Sequence, residues 1–464
     1  MKRRFMLLLM VLSCLVLPVA QASGFSGGNG DPGSPYIITT AAELNNVRNH
    51  LTRHFRLGNN IDLAPYLASP NGGGFIEWGA AGWMPIGAFA ANNIQNVAFS
   101  GSFDGAGYVI RGFWINRGNT SGIGLFGAAY GATIRNLGVE ITDFGVRGSS
   151  RVGGLTGHLD GGSVITNCYV TGNITSGGNA GGLAGSQTNS NIANSYATGN
   201  VTGSSYGGRI GGLVGTLTGT SSIKDSYARG NVSSTYYGST GGLVGYIGDA
   251  STVINSYATG NVTGPRNYNQ YSGGLAGRME GNSNIAGSIA TGNVTGYYNN
   301  QTGGLVGTIS NSFIVDSYRY NYAEVNGAVL TENNPSGRNG GILTPTQLTS
   351  RTTYSNNGWH FSPSGPWHWD GSGFPKLNMG AETYPFPFNE NIPIISINRQ
   401  PAASTTVRQG SINATLSVSA EVTLNATLAY QWYSNTSASN AGGTAIAGAT
   451  SASYGIPRNL TPGT

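Results

Sequence analysis

Over residues 122–320 apolar residues fall in pieces only a few residues long, set between Gly, Asn, Ser and Thr, and none of these pieces carries the 3.6-residue period of an amphipathic helix. The pieces repeat. The string Gly-Gly-Leu-x-Gly begins at Gly153, Gly181, Gly211, Gly241, Gly273 and Gly303, at steps of 28, 30, 30, 32 and 30 residues, and Gly124-Leu125-Phe126-Gly127 sits one period earlier. A second phrase runs in phase with the first: Asn167-Cys168-Tyr169, Asn194-Ser195-Tyr196, Asp225-Ser226-Tyr227, Asn255-Ser256-Tyr257, Gly287-Ser288-Ile289 and Asp316-Ser317-Tyr318. A third reads Gly172-Asn173, Gly199-Asn200, Gly230-Asn231, Gly260-Asn261 and Gly292-Asn293, each followed by Ile or Val. Each unit therefore holds about three short strands joined by turns.

One such unit cannot bury its apolar side. Stacked copies can, because each strand then hydrogen-bonds to its equivalents above and below. The pattern predicts leucines 125, 155, 183, 213, 243, 275 and 305 as one inward column. It predicts Tyr169, Tyr196, Tyr227, Tyr257 and Tyr318 as another, with Ile289 substituting once. The glycines are expected at corners, for positive φ or close approach, and the Asn column is expected to bond from turn to turn. Roughly ten coils about 4.8 Å apart make a rod on the order of 50 Å long. The predicted fold class is all-β, a right-handed parallel β-helix.

Gly-Gly-Leu-Val-Gly alternating with Asn-Ser-Tyr-Ala-Thr-Gly-Asn-Val resembles the GLUG repeats of bacterial secreted and surface proteins, over roughly residues 122–320. The segment before it is similar to the lead-in of such proteins, with landmarks Asn60-Ile61-Asp62-Leu63, Trp83-Met84-Pro85-Ile86-Gly87, Phe103-Asp104-Gly105-Ala106-Gly107 and Ile134-Arg135-Asn136-Leu137-Gly138. The resemblance implies a β-helix and extracellular placement. It does not imply one shared activity.

A solenoid needs caps over its open ends. Thr40-Ala41-Ala42-Glu43 is a capping-box pattern opening a short helix to about Arg53, with Leu44, Val47 and Leu51 on one face, and reads as the N-terminal cap. After Tyr318 the repeat decays into an aromatic stretch with Trp359, Phe361, Trp367, Trp369 and Phe374, read as a plug over the last coil. The sharper alternative is sugar stacking by exposed tryptophans, which makes Trp359, Trp367 and Trp369 the candidate ligand-binding residues. Pro385, Pro387 and Pro393 mark a linker. From Ile394 the alternating strands, with Tyr430-Gln431-Trp432-Tyr433 and the stretch 448–457, resemble a bacterial immunoglobulin-like module with Trp432 as its core anchor. The chain ends after Pro462-Gly463, where the last strands of that module are due, so the module is expected to be incomplete.

Composition narrows the class. The 76 glycines show no Gly-X-Y period, which excludes collagen, and 39% hydrophobic residues argue against disorder. Lys2, Arg3 and Arg4, the apolar run 5–17 and Ala20-Gln21-Ala22 read as a signal peptide with the mature chain starting near Ser23. A lipoprotein reading at Cys14 is weaker, because Leu12 suits that motif poorly and more apolar sequence follows the cysteine. No second long apolar run follows, so no transmembrane segment is expected after cleavage. Without the leader, 20 basic face 18 acidic side chains with no basic stripe, which leaves nucleic acid a poor partner. Cys168 is then alone and makes no internal disulfide.

The chemistry is sparse. His50, His54, His158, His360 and His368 include no H-E-x-x-H, so the resemblance does not extend to the catalytic parts of GLUG-bearing metallopeptidases. His50 and His54 are spaced for one helix face but lack a third ligand, and read as surface residues. The glycine phrases lack the Lys-Ser or Lys-Thr of a phosphate loop and the Asp of calcium-binding nonapeptides. No metal or cofactor is expected. A polysaccharide-cleaving enzyme would draw on Glu140 and Asp143, Arg147 and Arg151, His158 and Asp160, or Lys224 and Asp225, all placed where solvated turns also put charge. Asp225 and Asp316 fill the slot used by Asn elsewhere, and Cys168 fills a Ser slot, so turn and packing roles are expected of them. The sequons at Asn173, Asn200, Asn231, Asn261 and Asn293 recur because the repeat does.

The expected organisation is a signal peptide (1–22), N-terminal cap and first coils (23–121), GLUG-repeat β-helix (122–320), aromatic cap (321–380), Pro-rich linker (381–393) and a truncated immunoglobulin-like module (394–464). The expected function is non-enzymatic. It is that of an exported adhesin-like or structural surface protein offering a solenoid flank to glycans or to host or cell-surface proteins. A polysaccharide-degrading β-helix and a passive stalk for a domain beyond Thr464 are the alternatives.

Overall fold

Leucines 125, 155, 183, 213, 243, 275 and 305 are each buried to within 1% of full enclosure, and the chain winds around them. The computed structural model describes residues 24–90, 92–204, 206–264, 270–320, 323–362, 365–369, 374–378, 395–402, 404–408, 411–422, 427–435 and 443–458. The expected leader and Pro-rich linker lie outside them. The body is an all-β parallel solenoid of about seven turns. Phe126–Tyr130, Thr156–Asp160, Ala184–Thr188, Val214–Thr218, Val244–Ile247, Ala276–Glu280 and Val306–Ser310 stack as one seven-stranded parallel sheet. A neighbouring column reaches further toward the N-terminus, through Tyr36–Ile38, His54–Leu57 and Ser102–Asp104.

A full coil holds more strands than the pattern predicts. Val214–Thr218, Ser222–Lys224, Tyr227–Ala228, Val232–Ser234 and Gly238–Gly241 make up one turn. Strands of two to five residues bury one to three side chains each, such as Ile223 or Val232, which leaves little alternation to read.

The corners explain the polar half of the repeat. Asn167, Asn194, Asp225, Asn255 and Asp316 sit at φ between 45° and 53°, and Gly287 takes the same slot at 58°. Asn, Asp and Gly bear this left-handed conformation better than other residues. The following serine then bonds both ways. Ser226 Oγ accepts from the Ser195 backbone N–H at 3.2 Å and donates to the Lys224 carbonyl at 2.8 Å, and Ser256, Ser288 and Ser317 continue the ladder. Cys168 takes that place one coil earlier, fully buried, its N–H on Ser195 Oγ at 3.1 Å. The Gly-Asn turns form a second ladder. Backbone N–H groups of Asn200, Asn231, Asn261 and Asn293 donate to the preceding Asn side chain at 2.9–3.0 Å. The glycines of Gly-Gly-Leu-x-Gly are there for close approach: a Cβ on Gly212 would lie 2.1 Å from the Gly242 carbonyl.

The tyrosines do not point inward. Val170, Ala197, Ala228, Ala258 and Ala290 join the solenoid core, while Tyr169, Tyr196, Tyr227 and Tyr257 belong to a second cluster on the outer side of the same strands. Successive strand residues face opposite ways. With the leucines filling the interior, the small partner of each Tyr-Ala pair goes inside. The tyrosine rings stack nearly parallel, 4.6–5.1 Å apart. The aromatic segment is not a plug over the last coil. It lies along this flank, with Trp359, Trp367 and Phe374 within 6.2 Å of the Tyr257 ring.

The expected N-terminal helix is shorter than its pattern. It runs Ala41–Asn46 with the Thr40/Glu43 capping box, then continues as a 3-10 turn, Val47–Asn49. Leu44 and Val47 join the core and Leu51 packs on it. His54 already starts the next rung, which is why the helix stops early and why His50 and His54 share no helix face. Near the C-terminus, Ile395–Arg399 pairs with Ser419–Val422, Thr415–Ser417 with Ser453–Gly455, and Tyr433–Ser434 with Thr444–Ala445, all antiparallel. Trp432 lies 5.9 Å from Tyr454 and donates its indole N–H to the Ser451 carbonyl at 2.8 Å.

Candidate binding groove on the solenoid flank

The seven-stranded sheet stacks His158, Ser186, Thr216, Tyr246, Arg278 and Thr308 in one register row. The adjoining corner strands stack Arg209, Ser239 and Tyr271 in another. Where Tyr246 and Arg278 follow the smaller Ser186 and Thr216 of the two preceding turns, the two rows enclose a groove of about 410 Å³ lined by Arg209, Tyr237, Ser239, Tyr246, Tyr271 and Arg278. Gly238 sets its edge: a Cβ there would lie 1.9 Å from the Gly208 carbonyl. The turns beside the groove add exposed rings. Tyr206 is 66% exposed, and its ring lies 4.7 Å from Tyr236 and 5.2 Å from Tyr237.

Charge in the groove is unevenly satisfied. Arg278 forms an ion pair with Glu280, which also accepts the Tyr246 hydroxyl. That hydroxyl bond, with Arg278 and Arg209 nearby, outweighs burial and holds the Glu280 carboxyl below the usual range. Burial, then the bond to Glu280, pushes the Tyr246 phenol up to about 12, so it stays a neutral donor. The Arg209 guanidinium carbon sits over the Tyr246 ring, 3.8 Å from its centre, and no ion-pair partner for it is found among the described residues. Two guanidiniums thus face one carboxylate that is already engaged.

The sequence-derived tryptophans lie elsewhere. Trp359 and Trp367 are 2% and 0% exposed, their rings 4.4 Å apart. Trp359 donates to the Gly287 carbonyl at 2.7 Å and Trp367 to Asp225 Oδ1 at 3.1 Å. Both are packing residues here, because a sugar stacked on either would have to displace the segment that carries it. Trp369 is half-buried, 5.6 Å from Tyr354 and 5.9 Å from Phe361.

The charged pairs also scatter. His158 Nε2 lies 3.8 Å from Asp160 Oδ2, and this contact is the main reason that the Asp160 carboxyl is held low. Arg151 stacks over Phe89 at 4.1 Å, and the Phe89 ring meets His158 at 5.0 Å. Asp143 and Arg147 are exposed and Glu140 is half-buried. Asp225 sits beneath Trp367, 3.9 Å from Lys224 Nζ. Burial pushes the Asp225 carboxyl up, against the Trp367 bond and Lys224. Among the described residues no three His, Cys, Asp or Glu side chains converge as a metal site would need. Nor is any helix there long and apolar enough to cross a membrane.

Sequence reasoning missed the groove. Its signal was the tyrosines shortly ahead of the last four Gly-Gly-Leu-x-Gly strings, at Tyr206, Tyr236-Tyr237, Tyr271 and Tyr297-Tyr298.

Comparison with known proteins supports the repeat and the fold. The model of the GLUG motif matches residues 148–175, 176–202, 206–233 and 236–263. A Gly-rich membrane protein of Evansella cellulosilytica is 40% identical over 172 residues, which is 36% of this chain and 18% of that one. Halomucin of Haloquadratum walsbyi is 34% identical over 153 residues, 32% of this chain and 2% of its own. The chain thus spans under a fifth of the length of these curated relatives. A solved structure from Bacteroides ovatus, assigned as an immunoglobulin A1 protease, superposes with a TM-score of 0.52 at 23% identity, over 77% of this chain and 96% of that one. At that identity the likeness speaks to the fold alone.

Proposed function

We propose that this chain is an exported, non-enzymatic surface protein whose solenoid flank binds glycans or surface proteins. The observation that carries the reading is the groove of Arg209, Tyr246, Tyr271 and Arg278, where fixed cations and ring faces stand on rigid rungs. Naming among the partial relatives agrees with a surface or structural role. The leader 1–22 would export the chain, and the region from 394 onward would act as an immunoglobulin-like spacer, with Trp432 on Tyr454 as its anchor. The enzymatic alternative rests on the named fold neighbour and on charged pairs of which Asp225 and His158 already have structural partners.

The test incubates the purified chain with a mixed panel of polysaccharides, following polymer length and co-sedimentation together. The reading expects unchanged length and co-sedimentation with at least one polymer. Shortening of any polymer, lost on substituting Glu140, Asp143 or Asp225, would sink it. No co-sedimentation with polysaccharide or with cell-surface protein would leave only the stalk.

A further inference from the structure

We infer that the groove at Arg209 takes an anionic polysaccharide, one bearing carboxylate or sulfate groups; this rests on the glycan-binding reading above and narrows it. Three features converge. First, the Glu280 carboxylate is engaged by Arg278 and by the Tyr246 hydroxyl, so the groove keeps an unneutralised positive charge at Arg209. Second, the Arg209 guanidinium carbon sits over the Tyr246 ring, 3.8 Å from its centre, and among the described residues no acceptor is found for its side-chain N–H groups. A planar fork held over a ring, with its donors unspent, matches a carboxylate or sulfate in two-point geometry. Third, Tyr237, exposed, and Tyr271, half-buried with the Arg278 guanidinium 5.3 Å from its ring centre on one side, line the same groove, and a pyranose lays its C–H face on the uncovered side of such rings.

The geometry favours a polymer over a single sugar. Arg209, Ser239 and Tyr271 stand on three successive rungs in register, and rungs are about 4.8 Å apart. That spacing is close to the advance of one sugar along an extended chain. A polymer lying along the axis would therefore meet Arg209 and Tyr271 with residues of the same strand. An acidic peptide could satisfy Arg209, but gains less from the open ring faces.

The experiment uses two matched pairs, polygalacturonate with its fully methyl-esterified form and dextran sulfate with dextran, plus poly-glutamate as a non-sugar anion. Binding of the purified chain is followed by co-sedimentation across a salt series. The expected result is at least tenfold tighter binding to the charged member of one pair, weakening as salt rises. R209M should lose at least tenfold and R209K recover part of it. Y271A should weaken polysaccharide but leave poly-glutamate unchanged. Unaltered thermal midpoints show that the variants are folded. Equal binding of charged and neutral members, or full binding by R209M, overturns the inference while leaving glycan binding intact. Poly-glutamate binding that matches the polysaccharide overturns it in favour of an acidic peptide. Binding to none of these probes overturns it too, and failure of the wider polysaccharide panel then removes the glycan-binding half of the parent reading as well.

Discussion

Two buried aspartates titrate in opposite senses, and each reports a different job. Burial raises the Asp104 carboxyl, but the Asn136 amide, the Ala106 N–H, Arg135 at 3.0 Å and Arg56 at 3.2 Å outweigh it and hold it low. Its folded pKa lies below the unfolded value of 3.8, so it stabilises above that value and this contribution is lost as pH falls through the folded pKa. Asp225 is the reverse. Burial lifts it above 3.8, so the folded chain binds its proton more tightly, and stability falls as pH rises through the window just above 3.8. D104N should therefore lower the thermal midpoint at neutral pH by several degrees, with the deficit closing in acid. D225N, which copies the Asn of neighbouring coils and keeps the left-handed turn, should hold or raise the midpoint at neutral pH. A thermal scan of both variants from pH 3 to pH 7 checks this, and a large neutral-pH loss in D225N would contradict it.

The elements are strands too short to stand alone, so their stability comes from what stacks on them. Tyr257 sits between the Tyr227 ring and the Trp359, Trp367 and Phe374 cluster, and donates its hydroxyl to the Pro375 carbonyl at 3.0 Å. Y257A should cost about 3–5 kcal/mol. It should also free the 341–378 segment, seen as new proteolytic cuts there before the solenoid unfolds in urea. G212A pushes a Cβ against the Gly242 carbonyl and the Ala228 side chain, and should cost about 3 kcal/mol by the same urea measurement. These elements also show how far the sequence could be read. The leucine column and the Asn ladder were legible because each depends on its own residue type recurring at one phase. The tyrosine orientation was not, because in a two-residue strand either Tyr or Ala can face inward. The interior volume left by the leucines decides it, and that is a property of the assembled coil. Trp359 and Trp367 were misread for the same reason: a hydrophobic outer flank called for cover, and only the stacked tyrosines reveal it.

Across the whole molecule, the solenoid has one flank closed by aromatic packing and another carrying a groove. The repeat was legible from phase alone, and the four GLUG matches agree with it. The groove was not, because it needs Arg209 from one turn to lie over Tyr246 from the next, and that neighbourhood exists only once register is fixed. The division of labour between flanks is the central claim, and hydroxyl-radical footprinting tests it most directly. The chain is oxidised alone and with a polysaccharide that co-sediments with it, and each aromatic is scored. The expected result is protection of Tyr237 and Tyr271 by the polymer, with Trp359 and Trp367 unreactive in both states. Oxidation of Tyr271 undiminished by bound polymer, with protection at Trp369 instead, would contradict the account.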